Sequence, residues 1–222
     1  MNANLLRNIG AITADEQKLL KTKKVFIAGC GGLGGFLAEF SARLGIGFVS
    51  LCDKDIFDES NLNRQVFCNV YSIGKSKVNV TREKLLDINP LIKVVVEETE
   101  ITSLNAESLI NGSDLVIDAL DNIKTRLILE SACENIGIPL IFGAVDRWCG
   151  QVSTVFPKDK TISKLYGSTK NDTQPSVLAF SAALVSSFQM AEVVKTLLGR
   201  PSLRNKVLTI DLDEYSLEIL DI

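Results

Sequence analysis

The feature that most constrains this chain is a turn, Gly29-Cys30-Gly31-Gly32-Leu33-Gly34-Gly35. Ahead of it, Lys24-Val25-Phe26-Ile27-Ala28 is a short apolar run that reads as a buried strand. Behind it, Leu33, Phe36, Leu37, Phe40 and Leu44 recur at helical spacing. The glycines fall as G-x-G-x-x-G at Gly29, Gly31 and Gly34. In that pattern the first glycine permits a tight turn, the second lets a phosphate approach the backbone, and the third lets the helix pack on the strand. Free amides at the start of the helix, together with its dipole, favour an anion there. The motif alone also allows a turn used only for packing.

The rest of the chain repeats the strand–helix alternation. Strands are expected at Phe48–Cys52, Ile92–Val96, Asp114–Asp118 and Pro139–Gly143, with helices over Lys75–Ile88 and Thr125–Ile136. Such spacing predicts an α/β fold: a Rossmann-like, mostly parallel sheet with helices on both faces. The character shifts after Gly143. Gln151–Phe156 alternates like a half-exposed strand, and Lys158–Pro175 reads as a long mobile loop. Ser176–Leu198 is an apolar helix, and Val207–Asp211 with Tyr215–Leu220 forms a hairpin, placing antiparallel strands at the carboxyl-terminal end. The expected organisation is one unit over 1–222, with an amino-terminal helical segment (1–23), a nucleotide-binding half (24–145) that carries the glycine turn, and a second half (146–222) holding the loop 158–175.

Composition narrows the chemistry. The 222 residues contain no histidine, which removes Ser-His-Asp and Cys-His catalysis and histidine-ligated metals. Lys plus Arg is 24 and Asp plus Glu is 27, a net charge of −3 that speaks against sequence-independent nucleic-acid binding. The five cysteines, Cys30, Cys52, Cys68, Cys133 and Cys149, show no C-x-x-C pair and suit reduced thiols in a cytoplasm. No signal peptide is expected from the first residues. The longest uncharged run that could mimic a membrane span, the 16 residues Ser176–Ala191, is short of the ~20 that cross a bilayer, so no membrane association is expected.

The crossover after the second strand is unusually polar: Asp53-Lys54-Asp55-Ile56-Phe57-Asp58-Glu59-Ser60-Asn61-Leu62-Asn63-Arg64-Gln65. Asp53 ends that strand, 24 residues after Gly29, where a carboxylate can accept ribose hydroxyls. Lys75 and Lys77 follow, then Asp121-Asn122 beyond the fourth strand, then Arg126. Ligands of open parallel sheets bind beyond the carboxyl ends of the strands, which would gather Gly29, Asp53, Arg64, Lys77 and Asp121 at one nucleotide. Two cations and a carboxylate for a divalent metal suit a triphosphate better than a nicotinamide. Taken singly, Arg64, Lys77 and Arg126 also read as ordinary solvated charges.

G-x-G-G-L-G, D-x-D, S-N-L-N-R-Q, G-K-S-K, I-N-P, A-L-D-N and the closing Q-M-A-E-V-V-K-T-L-L-G occur here in one order. From about Arg7 to the carboxyl terminus the chain resembles the ubiquitin-activating-enzyme-like adenylyltransferases, the ThiF, MoeB and HesA family. The resemblance implies ATP and Mg²⁺ as cofactors and makes 146–222 the substrate and dimer half. It places Gly29, Gly31, Gly32, Gly34, Asp53, Asp55, Asn61, Arg64, Gln65, Lys77 and Asn122 at the nucleotide. Arg64, Lys77, Asp121 and Arg7 would be catalytic, with Asp121 positioning Mg²⁺ and Arg7 reaching the phosphates of a partner subunit in a homodimer.

The implied reaction is ATP-dependent adenylation of a carboxylate, most simply the Gly-Gly carboxyl terminus of a ubiquitin-like sulfur carrier protein, with release of pyrophosphate. A peptide or small-molecule carboxylate, a non-catalytic nucleotide-binding role, and an NAD-dependent oxidoreductase are the alternatives. Many members carry four zinc cysteines in the carboxyl-terminal half and a further cysteine before the last helix. This chain has none after Cys149, so no zinc and no covalent transfer are expected. Cys149, in Asp146-Arg147-Trp148-Cys149, is the thiol expected nearest the substrate. If Arg7 acts in trans, an Arg7→Ala protein should be inactive and regain activity when mixed with Asp121→Ala subunits. Pyrophosphate-exchange assays of confirmed mixed dimers check this, and failure to complement counts against the trans role.

Overall fold

The computed structural model describes residues 3–167 and 176–222. Its strands are β1 (Lys24–Ala28), β2 (Phe48–Cys52), β3 (Lys93–Glu97), β4 (Leu115–Asp118), β5 (Leu140–Asp146), β6 (Cys149–Val155), β7 (Lys206–Asp211) and β8 (Ser216–Asp221). The α-helices are α1 (Ala14–Leu20), α2 (Gly32–Leu44), α3 (Lys77–Ile88), α4 (Ala106–Ile110), α5 (Ile123–Ile136), α6 (Thr161–Tyr166) and α7 (Ala179–Leu197). The strands form one sheet in the order β3-β2-β1-β4-β5-β6-β7-β8. β3 through β5 run parallel, and β6, β7 and β8 are added antiparallel.

The central strands are apolar on both faces because both faces are covered. Val25 and Ile27 of β1 join a core built with Leu33 and Leu37 of α2, Val78 and Leu85 of α3, and Val185 and Val193 of α7. Phe26 and Ala28 face the other way, toward Ile110 of α4, Leu129 and Ala132 of α5, and Ile162 of α6. The chain leaves β1 outward to β2 and β3, then returns to the opposite side of β1 with β4. That reversal opens a crevice at the carboxyl ends of β1 and β4, where a ligand site is expected.

α7 lies close on the sheet because glycines face it. A Cβ at Gly143 would stand 2.1 Å from Cδ of Gln189, and one at Gly150 would stand 2.2 Å from Cγ2 of Val185. The ladder between β4 and β5 holds only two residue pairs, Val116 with Leu140 and Ile117 with Ile141. Beyond it the buried Gln189 amide donates to the carbonyls of Asp118 (2.7 Å) and Ile141 (3.2 Å), bridging the seam where the strands part.

One expectation needs correction. The segment from Lys158 is not a loop throughout: α6 occupies Thr161–Tyr166, held by the buried Glu130 of α5. The Glu130 carboxylate accepts the N–H of Ile162 (2.7 Å) and of Ser163 (3.0 Å), the free amides of the first turn. The remaining part of that expected loop, 168–175, lies outside the described residues. The last helix turns its apolar face into the chain. Ala182, Val185, Met190, Val193 and Leu197 are all buried, and Leu178 and Phe180 at its start are the large apolar side chains left exposed there.

The other end of α7 is tied down by a carboxylate. Glu192 is 1% exposed and accepts from Thr154 Oγ1 (2.8 Å), Lys195 Nζ (3.0 Å), the Ser202 hydroxyl, and the N–H groups of Ser202 and Leu203 (3.0 Å each). Burial by itself would raise this carboxyl, but the hydrogen bonds from Ser202, Lys195 and Thr154 outweigh it and hold it below its ordinary 4.5. A depressed folded-state value means stabilisation that is complete above the unfolded value and is lost as pH falls through the folded one. Glu192→Gln should therefore cost about 2 kcal/mol or more at neutral pH, since it sets an amide N–H₂ against these donors. Urea unfolding at pH 7 and in acid checks this: the variant's deficit should shrink as pH falls below the ordinary glutamate range.

Candidate functional site

The glycine turn is built by two close approaches. Gly29 has φ +96°, and a Cβ on it would lie 2.7 Å from the carbonyl oxygen of Ala119. At Gly34 a Cβ would lie 1.9 Å from the carbonyl oxygen of Gly29. α2 can thus begin directly above the end of β1. Gly31 and Gly32 differ in kind: a Cβ there would meet no atom closer than 3.6 Å, and the atoms reached are side-chain atoms of Gln65 at Gly31 and of Ala182 and Arg64 at Gly32. These two glycines leave the amino end of α2 open to a crevice.

That crevice is a cavity of about 410 Å³, within the range of small-molecule sites. It is lined by Gly29, Gly31 and Gly32 after β1, Asp53 and Asp55 after β2, and Asn61, Arg64 and Gln65 from the crossover. Lys77 from the start of α3, and Asp121 and Asn122 after β4, complete the set named from the sequence. Asp53 is anchored through both oxygens, accepting the N–H of Cys30 (2.7 Å) and of Asp55 (2.9 Å). Burial pushes its carboxyl above the usual range in spite of those bonds and of nearby Lys77.

The cations are held rather than free. The Lys77 side chain is 8% exposed, and its Nζ donates to Asp55 Oδ2 at 3.1 Å. Arg64 donates to the Ser60 carbonyl (2.8 Å) and to Asn63 Oδ1 (2.9 Å). Asn63 in turn donates to the Val177 carbonyl (3.2 Å), and Val177 also lines the cavity. Gln65 is 6% exposed, and its Oε1 is buried without a hydrogen-bond partner. Asn122 caps α5 by accepting the N–H of Thr125 (2.9 Å), and its Nδ2 donates to Asp121 (3.3 Å). The solvated reading of the lone charges therefore fails for Lys77 and for Arg126, which is 7% exposed and lines the same cavity.

Two of the sequence-named residues stand elsewhere. Gly34 lies behind the turn, where it packs. Arg7 is exposed on a 3₁₀ turn over Ala3–Asn8 and does not line the cavity of its own chain. Cys30 is buried under the turn, and burial with Asp53 beside it raises its thiol well above the ordinary range. Cys149 is exposed at the start of β6, outside the cavity, and its thiol is raised by partial burial and by Asp211. Neither environment favours a thiolate. Sequence reasoning missed Thr99, Glu100 and Ile101 beyond β3, and Val145 and Val177 on the opposite wall. No motif marks them; only their place at strand and helix ends does.

These features define a Rossmann-like α/β protein with a polar, cation-bearing crevice at the point where strand order reverses. The chain belongs to the ThiF family, whose model matches residues 4–222. It is similar to the sulfur carrier protein adenylyltransferase of Thermus thermophilus, 32% identical over 201 residues that cover 83% of this chain and 73% of that one. It is also similar to the probable adenylyltransferase/sulfurtransferase MoeZ of Mycobacterium tuberculosis, 34% identical over 221 residues covering 94% and 56%. The chain spans little more than half the length of the first curated relatives it matches. Its fold superposes on the crystal structure of Escherichia coli MccB with ATP at a TM-score of 0.85 and 24% identity, covering 100% of this chain and 72% of that one.

The glycines separate in their expected effects. Gly34→Ala drives a methyl into a backbone carbonyl and should destabilise by several kcal/mol or prevent folding. Gly31→Ala meets only the end of Gln65 and should keep the melting temperature within a few degrees. Differential scanning calorimetry of both variants measures the contrast.

Proposed function

We propose that this protein is an ATP-dependent adenylyltransferase that activates a carboxylate, most simply the Gly-Gly carboxyl terminus of a ubiquitin-like sulfur carrier protein. The observation that supports this is the convergence of five separate segments on one crevice: the glycine turn, Asp53, Arg64 and Gln65, Lys77, and Asp121. The curated relatives named for adenylyl transfer and sulfur carriers support the same reading.

In this reading the amides at the start of α2 hold phosphate oxygens, and Asp53 accepts the ribose hydroxyls. Lys77 and Arg64 face the triphosphate, where Arg64 offers a planar fork of donors and Lys77 a point charge. A carboxylate substrate is already ionised at neutral pH and needs no general base. Its oxygen forms a bond to the α-phosphorus, the bond from that phosphorus to the bridging oxygen breaks, and the electron pair leaves with pyrophosphate. No proton changes hands, so a chain without histidine suffices. The work of the side chains is to align attacking and leaving oxygens and to stabilise charge as it moves.

The donor set fits Mg²⁺. Among the described residues no cluster of three or more His, Cys, Asp or Glu could hold a metal alone. Mg²⁺ ordinarily uses one or two carboxylates and takes its other ligands from phosphates and water, and exposed Asp121 at the crevice supplies one. When bound, Mg²⁺ neutralises negative charge on the phosphates. We assign the acyl substrate and the pairing of two copies to residues 146–222, and a reach across to the partner's phosphates to Arg7.

ATP–pyrophosphate exchange with Mg²⁺, run against Gly-Gly-ended carrier proteins and small carboxylates, tests the reading. Exchange dependent on one carboxylate is expected, with a loss of at least about 100-fold in Asp121→Ala and an ATP affinity at least about tenfold weaker in Gly31→Ala. ATP binding without exchange across a broad panel would replace catalysis by a binding role, and no ATP binding would overturn the reading.

A further inference from the structure

In the wall of the crevice, one residue, Leu120, has both of its backbone groups gripped by opposite charges. Asp118 ends β4 fully buried, and its Oδ1 accepts the N–H of Leu120 at 2.9 Å. The carbonyl of the same Leu120 accepts from Nη2 of Arg126, one turn into α5. The two side chains face each other with Asp118 Oδ2 and Arg126 Nη1 3.9 Å apart, and neither atom has a hydrogen-bond partner. The guanidinium also lies over the Phe142 ring, 5.1 Å from its centroid, which fixes it from the sheet side. The residue after Leu120 is Asp121.

Stability is a poor explanation of this pair. A buried ion pair that does not close to hydrogen-bond distance recovers little of its desolvation cost, and apolar residues of the same volume often serve a fold as well. What the pair does is immobilise one peptide unit. With Leu120 held at N–H and at C=O, the chain between the end of β4 and the Asn122 cap of α5 has little freedom left. The Asp121 carboxylate is thereby presented to the crevice from a fixed backbone. Only arginine can grip the Leu120 carbonyl and face Asp118 at the same time, because its donors fan out from one rigid plane.

We propose that Arg126, with Asp118, is a positioning residue for Asp121 and acts on the reaction through the Leu120 peptide. This rests on the adenylation reading above. Arg126→Gln should lower the exchange kcat about 100-fold and leave the KM for ATP within about threefold. Arg126→Lys, which keeps the charge and can make one contact of the two, should lose about tenfold. Arg126→Gln placed on Asp121→Ala should cause no further loss, because both changes remove the same function.

A second readout is independent of exchange. Mn²⁺, used as the probe ion, should bind the ATP complex about tenfold more weakly in Arg126→Gln by electron paramagnetic resonance. Additive losses in the double variant, a loss confined to KM, or unchanged Mn²⁺ affinity would each overturn the proposal. If wild-type protein binds Mn²⁺ with ATP but exchanges no carboxylate, the adenylation reading fails while the Mn²⁺ arm still decides the role of Arg126. If neither arginine variant folds, Asp118→Ala, which removes the acceptor for the Leu120 N–H, takes their place: Mn²⁺ binding with ATP about tenfold weaker supports the proposal, and wild-type binding makes the pair structural and overturns it.

Discussion

The rest of the structure depends on the approach of Gly34 to the carbonyl of Gly29. A side chain of any size there would push α2 away from the end of β1. With that contact made, the helix begins where the strand stops, and its first amides point into the crevice instead of toward solvent. Asp53 completes the arrangement from the neighbouring strand, accepting the N–H of Cys30 and so bracing the turn from the side. The crevice is therefore shaped by backbone approach before any side chain enters it.

Charge in this crevice is organised by pairing. Lys77 is buried against Asp55, Arg126 against Asp118, and Arg64 is held by carbonyl oxygens of Ser60 and Asn63. Groups held this way are already oriented when a ligand arrives, which is how fixed dipoles and charges stabilise moving charge at small reorganisation cost. Aspartates stand among the cations in the same lining, so affinity for a polyanion comes from directed contacts and not from a general positive field.

Much of this was legible in the sequence, for physical reasons that particular elements show. β1 and β2 were readable because strands covered on both faces are apolar throughout, and the glycine turn because few residues can make it. Gly31, Asp53 and Asp121 lie together at strand ends, as their positions suggested, and the polar crossover after β2 brings Arg64 and Lys77 to them. α6 was not legible: four of its six residues, Thr161, Ile162, Ser163 and Tyr166, are weak helix formers, and it is held by Glu130, some thirty residues away. The burial of Arg126 was equally hidden, since nothing local distinguishes it from a surface arginine; only Asp118 and the ring of Phe142 make its place. Arg7 shows the converse, a residue whose assigned role depends on a second copy and so leaves no trace in the crevice of one chain.

The glycine turn also bears on how such proteins diverge. Gly34 answers to the architecture and Gly31 to the ligand, although a pattern search weights them alike. A descendant that changed Gly31 alone would inherit the shape intact and have an obstructed mouth, while one that changed Gly34 would leave no folded heir. Lineages that abandon the chemistry should therefore keep the third glycine and drift at the second, and a match in shape records ancestry before it records activity.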